Sequence, residues 1–185
     1  MTELMSREDA LVLVKENVKN KNLRKHMLAA EAVMRALAVR LGEDEALWAR
    51  TGLLHDVDWD RTADDFPNHG VISAEMLAER GCPEEMVHAV SAHAEKGPVE
   101  TKLDQALYAA DPLTGFLVSC ALIRPEKKLD IVDVQFVRNR MAEKGFSRSV
   151  NRDQIRQCET LGIPLDEFIQ ISLDAMKSIS DDLGL

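Results

Sequence analysis

The chain has 185 residues, with 23 Lys and Arg against 32 Asp and Glu and a formal net charge of −9 at pH 7. At about 100–200 residues per domain this length fits one domain, or one with a helical appendage, and the acidic balance argues against a protein built to grip a phosphate backbone non-specifically. A 45% hydrophobic and 30% charged composition excludes wholesale disorder.

The polar, acidic start Met1 to Asp9 and a longest apolar stretch near residues 116–123, well short of the ~20 residues of a spanning helix, set the expectation of a cytoplasmic protein without membrane contact. Cys82, Cys120 and Cys158 are odd in number and form no CxxC pair, so they read as reduced thiols. With 4% aromatic residues and abundant Ala, Leu, Glu, Lys and Met, the expected fold is all-α.

Ser6 followed by Glu8 and Asp9 reads as the cap and acidic first turn of a helix carrying Leu11, Val14 and Val18. Leu23, Met27, Ala30, Val33, Met34, Leu37 and Leu41 then mark one face of a helix over about 22–41, stopped by Gly42. Asp44 caps the next, Glu45 to about His55, with Leu47, Trp48, Leu53 and Leu54 turned inward. Residues 56–68, with five Asp and no apolar period, read as a long loop of the kind that carries function. Helices follow over about 69–80, stopped by Gly81, and over about 84–93, opened by Pro83. From Leu103 a helix runs to Pro112, which must kink it or start a new segment continuing to Ile123. Further helices are expected at about 133–144, 151–161 and 165–183. The organisation expected is a single domain, 1–185, with a core of about 20–120 and a helical extension of about 121–185.

The chain has five histidines, four of them near acids at helix borders. The adjacent His55-Asp56 pair offers the mixed nitrogen and oxygen set that suits Mn, Fe, Mg, Co, Ni or Zn. His26, His55-Asp56, His69, His93 and Asp111 follow in order with apolar helices between them. His88 lies five residues before His93, about 140° round a helix, and reads as structural or solvent-exposed. Glu75 likewise faces away from His69, Trp48 and Met27 read as packing, and Trp59 is a candidate to touch ligand because it follows His-Asp.

His26 in Arg24-Lys-His-Met-Leu, Gly52-Leu-Leu-His-Asp56, and Asp111 in Leu107-Tyr-Ala-Ala-Asp111 together resemble the HD-domain metal-dependent phosphohydrolases, with their His, His-Asp, Asp pattern on a helical core. The resemblance implies an all-α HD bundle in which His26, His55, Asp56 and Asp111 hold one divalent ion, with Asp56 bridging to a second ion on His69 and His93. It assigns the catalytic roles to Asp56, His55 and Asp111, acting through metal-activated water on a phosphomonoester or phosphodiester. The implied partner is a small phosphorylated, nucleotide-like molecule, with neither a nucleic-acid duplex nor a membrane, and a homo-oligomer is left open.

His93-Ala94 stands where binuclear members often show two histidines, and Val57-Asp58-Trp59-Asp60 replaces the Gly-Lys of the cyclic-dinucleotide branch, which argues against such a substrate. Asp58 and Asp60 are candidates to shape the pocket or move a proton. Lys25, Arg61, Arg124, Lys127 and Lys128 are candidates to offset their charge. The alternatives within this reading are a non-hydrolytic regulatory module and a di-iron oxygenase.

Overall fold

The computed structural model describes residues 4–185, so the first three residues of the acidic start lie outside it. Among the described residues every regular element is helical. Ser6 Oγ accepts from the Asp9 amide at 3.1 Å to open α1 (Arg7–Asn17). Asn20 accepts from the amides of Asn22 and Leu23 to open α2 (Lys21–Leu41), which Gly42 closes in the left-handed conformation. Asp44 caps α3 (Glu45–Leu54).

The expected loop 56–68 holds a short helix, α4 (Trp59–Thr62), and a 3₁₀ turn over Phe66–Asn68. The Asp58 carbonyl accepts from the amides of Arg61 and Thr62, giving this acidic stretch a helical turn without an apolar period. Helices α5 (Val71–Glu79) and α6 (Glu84–His93) follow.

Helix α7 (Lys102–Leu122) starts with a capping box between Thr101 and Asp104 and runs without a break through Pro112. Proline removes the donor that would bond the carbonyl one turn earlier, at Tyr108. That carbonyl instead accepts from Gln154 Nε2 at 2.9 Å, a side chain on α9 (Arg152–Arg156), so the helix stays continuous. Beyond α7 come α8 (Val134–Ala142), α9 with a 3₁₀ turn over Gln157–Leu161, α10 (Leu165–Lys177) and α11 (Ser180–Leu183). The expected single helices over 151–161 and 165–183 are thus each two elements.

Helix α2 lies at the centre, against α3, α7 and α10. Met27, Val33, Met34 and Leu37 on its inner faces meet Leu53, Leu54, Phe116 and Phe168 in one buried cluster. Gly52 sets the spacing of the closest pair, because a Cβ there would fall 2.5 Å from the Ala30 carbonyl oxygen of α2. Glu31 is buried under Arg7, whose Nε and Nη2 donate to its two oxygens at 2.6 and 2.9 Å. No helix is long and apolar enough to cross a membrane among the described residues.

Candidate metal centre

His26 projects from the second turn of α2, His55 and Asp56 follow the last turn of α3, His69 precedes α5, His93 ends α6, and Asp111 sits in the middle of α7 beside Pro112. Five helices therefore bring together residues spread over 86 positions of sequence (26 to 111 inclusive). The ligand atoms of His26, His55, Asp56 and Asp111 all lie within 4.8 Å of one another, as do those of Asp56, His69 and His93.

Asp56 belongs to both groups. Its Oδ2 lies 3.6 Å from His26 Nε2 and 3.4 Å from His55 Nε2, while its Oδ1 lies 3.5 Å from His69 Nε2 and 3.3 Å from His93 Nε2. Asp111 Oδ1 completes the first group at 3.0 Å from His26 Nε2 and 3.5 Å from His55 Nε2. Two donors about 2.1 Å from a shared ion, at angles between octahedral and tetrahedral, stand about 3.0–3.4 Å apart. The observed separations are of that size.

The other ring nitrogen of each histidine decides which atom faces the centre. His55 Nδ1 donates to the Gly52 carbonyl at 2.8 Å, His93 Nδ1 to the Val90 carbonyl, and His69 Nδ1 to Asp58 Oδ1 at 3.1 Å. The Thr114 hydroxyl spends its hydrogen on the Asp111 carbonyl at 2.8 Å, so it accepts from His26 Nδ1 at 3.0 Å. All four rings are thereby held with Nε2 toward the two carboxylates, so that each neutral ring would offer a metal ion its Nε2 lone pair.

Two details show that this set fits metal ions better than hydrogen bonds among its own members. His93 Nε2 is buried without a hydrogen-bond partner, and His26 Nε2 and His55 Nε2 stand only 3.2 Å apart. That approach needs a cation between the two nitrogens, a metal ion or a proton, to be favourable. Burial penalises the Asp56 and Asp111 carboxylates, but the surrounding imidazoles outweigh it and hold both ionised. Burial likewise disfavours a charged His55, yet the same two carboxylates raise its pKa well above the usual value, so protons compete with metal here.

Asp58 does different work from either role expected of it. It is fully buried, and besides His69 it accepts from the amides of Gly70 at 2.8 Å and Ser73 at 2.9 Å. Its carboxylate fixes the start of α5 and the ring of His69. Its acidity is set first by burial, which raises the pKa, and then by His69 and these amide donors, which bring it below the ordinary value. The acid run Asp56, Asp58, Asp60 carried this signal only in part, since its spacing does not say which acid turns inward.

Asp60 points away and accepts from the Lys19 amide at 2.5 Å, outside the centre. Trp59 meets the His69 ring edge-on, with centroids 4.9 Å apart. His88 is structural, bonded through Nδ1 to the buried Asp104 at 3.1 Å, while Glu75 is exposed and Trp48 buried. At Gly70, with φ +79, a Cβ would lie 2.4 Å from the Ala94 Cβ, so the turn before α5 packs against Ala94 only because residue 70 is glycine.

Of the five cation candidates, Lys25 borders a cavity shared with His26. Arg61 donates to Asn17 Oδ1 at 2.7 Å, Arg124 lies over the Phe136 ring, and Lys127 and Lys128 are exposed.

The HD domain profile matches residues 23–115, which carry all six ligand candidates. The chain belongs to the HD-domain family. Members of this hydrolase superfamily bind divalent metals, and this HD domain has His/Asp groups that could hold them.

Among curated proteins it is 32% identical to Ribonuclease Y of Oleidesulfovibrio alaskensis over 96 residues, 52% of this chain and 18% of that protein. It is 32% identical to Ribonuclease Y of Lawsonia intracellularis over 113 residues, 60% of this chain and 20% of that protein. With Ribonuclease Y of Thermobifida fusca it shares 34% over 97 residues, 51% of this chain and 19% of the relative. The HD domain chain thus spans about a fifth of the length of the curated relatives it matches. No solved structure matches it significantly.

Proposed function

We propose that the protein is a metal-dependent phosphohydrolase that cleaves a phosphate ester of a small molecule with two divalent ions. His26, His55 and Asp111 would hold the first ion and His69 and His93 the second, with Asp56 common to both groups. The observation that carries the reading is the division of Asp56, with Oδ2 toward one pair of imidazoles and Oδ1 toward the other. Ions bound there supply acidified water as nucleophile at neutral pH and neutralise phosphoryl oxygens as charge builds.

The chain's own residues do the rest. Gly52, Val90, Asp58 and Thr114 keep each imidazole in the tautomer that presents Nε2. His26 and Asp111 have side chains 21% and 27% exposed, against at most 7% for the other four, so substrate reaches the centre from their side. Nucleotides and other phosphomonoesters are the first candidates, and the name Ribonuclease Y borne by the relatives adds RNA as the polymeric alternative.

The test is phosphate release from a panel of nucleotides, simple phosphomonoesters and short RNA with Mn²⁺, comparing wild type with Asp56→Ala. Wild type is expected to turn over a monoester and to carry close to two ions per chain by elemental analysis. Asp56→Ala is expected to lose both properties while keeping its helical circular dichroism. Metal retained without release from any substrate would favour the regulatory module, and iron with oxygen uptake would favour an oxygenase.

A further inference from the structure

Of the six ligand candidates, His26 also borders a hollow beside the centre. A cavity of about 320 Å³, near the small end of ligand pockets, lies between the start of α2, the middle of α7 and the segment around α11. His26 and Thr114, bonded to each other inside the centre, also form part of its wall. Much of the remaining wall is hydrocarbon, from Ala29 of α2, Val118 and Leu122 of α7, and Leu183 and Leu185 at and beyond α11, while Asn22 adds an amide. Leu122 is 49% exposed, unusual for a leucine in a helix whose other apolar residues are mostly buried. Gly115 adds open space, since a Cβ there would meet nothing within 4 Å. Apart from the His26 imidazole, no aromatic ring lines it among the described residues.

Besides His26 and Thr114, the polar side chains of the wall are those of Asn22 and Lys25. Lys25 Nζ donates to the Leu183 carbonyl at 2.7 Å, which closes α11 over the cavity and leaves two ammonium hydrogens to offer a phosphoryl oxygen. With ions and Lys25 drawing the phosphoryl group, the apolar hollow next to His26 is left for the rest of the ester.

We infer that this cavity receives the leaving group, and that the leaving group is an aliphatic alcohol, so that the substrate is a small alkyl-type phosphomonoester and not a base-bearing one. The inference rests on the phosphohydrolase reading above and narrows it. A nucleobase gains most from stacking on aromatic or guanidinium planes, and beyond the His26 ring, which is engaged in the ligand set, this wall supplies neither. Methylene groups gain from leaving water for any close-packed hydrocarbon surface. In the reaction a bond forms between the water oxygen and phosphorus, the bond from phosphorus to the alcohol oxygen breaks, and a proton from the water ends on that oxygen. Alcohol and inorganic phosphate are the products.

The experiment uses the full chain with Mn²⁺ and two series of probes, straight-chain alkyl phosphates from methyl to hexyl and the matching alkylphosphonates, whose carbon–phosphorus bond is not hydrolysed. KM for the phosphates and Kd for the phosphonates, measured by calorimetry, are expected to fall about fourfold per added methylene until the cavity is full. Hexylphosphonate is expected to bind more tightly than 5′-AMP. Gly115→Leu, which fills the hollow, should flatten both series, but the wild-type series decides even if that variant does not fold.

Turnover of methyl phosphate with no dependence on chain length would overturn the cavity assignment and leave hydrolysis standing. Chain-length-dependent phosphonate binding without phosphate release would support the cavity while hydrolysis failed. Tighter binding of 5′-AMP than of hexylphosphonate, or no binding of any phosphonate, would overturn the aliphatic class.

Discussion

Replacing Gly52 by alanine adds one methyl group at the closest approach of two helices that carry ligands. Its Cβ would sit 2.5 Å from the Ala30 carbonyl oxygen, 2.8 Å from the Ala30 carbonyl carbon and 3.0 Å from the Glu31 amide nitrogen. All three are backbone atoms and cannot rotate aside, and opening the first contact from 2.5 Å to at least 3.0 Å moves α3 outward by about 0.5 Å. Alanine would gain about 1 kcal/mol over glycine in a free helix. Overpacking costs about 1–3 kcal/mol, and against fixed backbone the upper part of that range applies, for a net loss of about 1–2 kcal/mol. At about 2–4 °C per kcal/mol for a chain of this size, Tm should fall by about 2–8 °C in differential scanning calorimetry.

The same shift separates His26 from His55, now 3.2 Å apart at Nε2, so metal content after dialysis should fall as well. Gly115→Ala is the matched comparison: its new methyl meets open space, so propensity acts alone and Tm should rise by up to about 4 °C. A Gly52→Ala protein melting at or above wild type with its full metal content would refute this account of the α2–α3 contact.

Asp58→Asn keeps the shape of the side chain but removes the charge that holds His69, and second-ion affinity should weaken about 10–100-fold in a stepwise metal titration while the first step changes little. Equal weakening of both steps would show that Asp58 acts on the fold as a whole. Because the native pKa of Asp58 is depressed, its contribution to stability is full above its unfolded value near 3.8 and is lost as pH falls through the lower native value. The stability gap between wild type and Asp58→Asn in urea should therefore be larger at pH 7 than at pH 3. Burial raises the thiols of Cys120 and Cys158 to about 12 and also lifts that of Cys82, so a disulfide-exchange reagent at pH 8 should label none of the three rapidly in the native protein and all three in urea. Finally, Thr114→Val removes the acceptor of the His26 Nδ1 hydrogen and should lower affinity at the first site, read in the same titration, more than at the second.

Helices were legible wherever an apolar period and a capping residue coincided, as at Ser6 and Asp44, whereas the caps Asn20 and Thr101 emerge only in the structure. The six proposed ligands were legible as an ordered set, and the structure brings all six together. What the sequence could not give was the partner of each second ring nitrogen, because the backbone carbonyls of Gly52 and Val90 have no residue-specific signature. Asp58 and Asp60 read alike in sequence, and only the fold turns one to His69 and the other to the Lys19 amide. Nor did any sequence signal show that Gly70 packs against Ala94.

The bond from Gln154 to Tyr108 bears on how portable the ligand-bearing segment is. The stretch that matches the family ends at residue 115, and it contains a proline whose missing amide leaves a carbonyl open three residues before Asp111. The repair comes from 46 positions downstream of that carbonyl, outside the matched stretch. A fragment trimmed to the shared segment would keep every side chain that can touch an ion and yet expose the weakest turn of the helix carrying one of them. Integrity of the centre is in that sense a property of the long chain, borrowed from a helix that contributes no ligand.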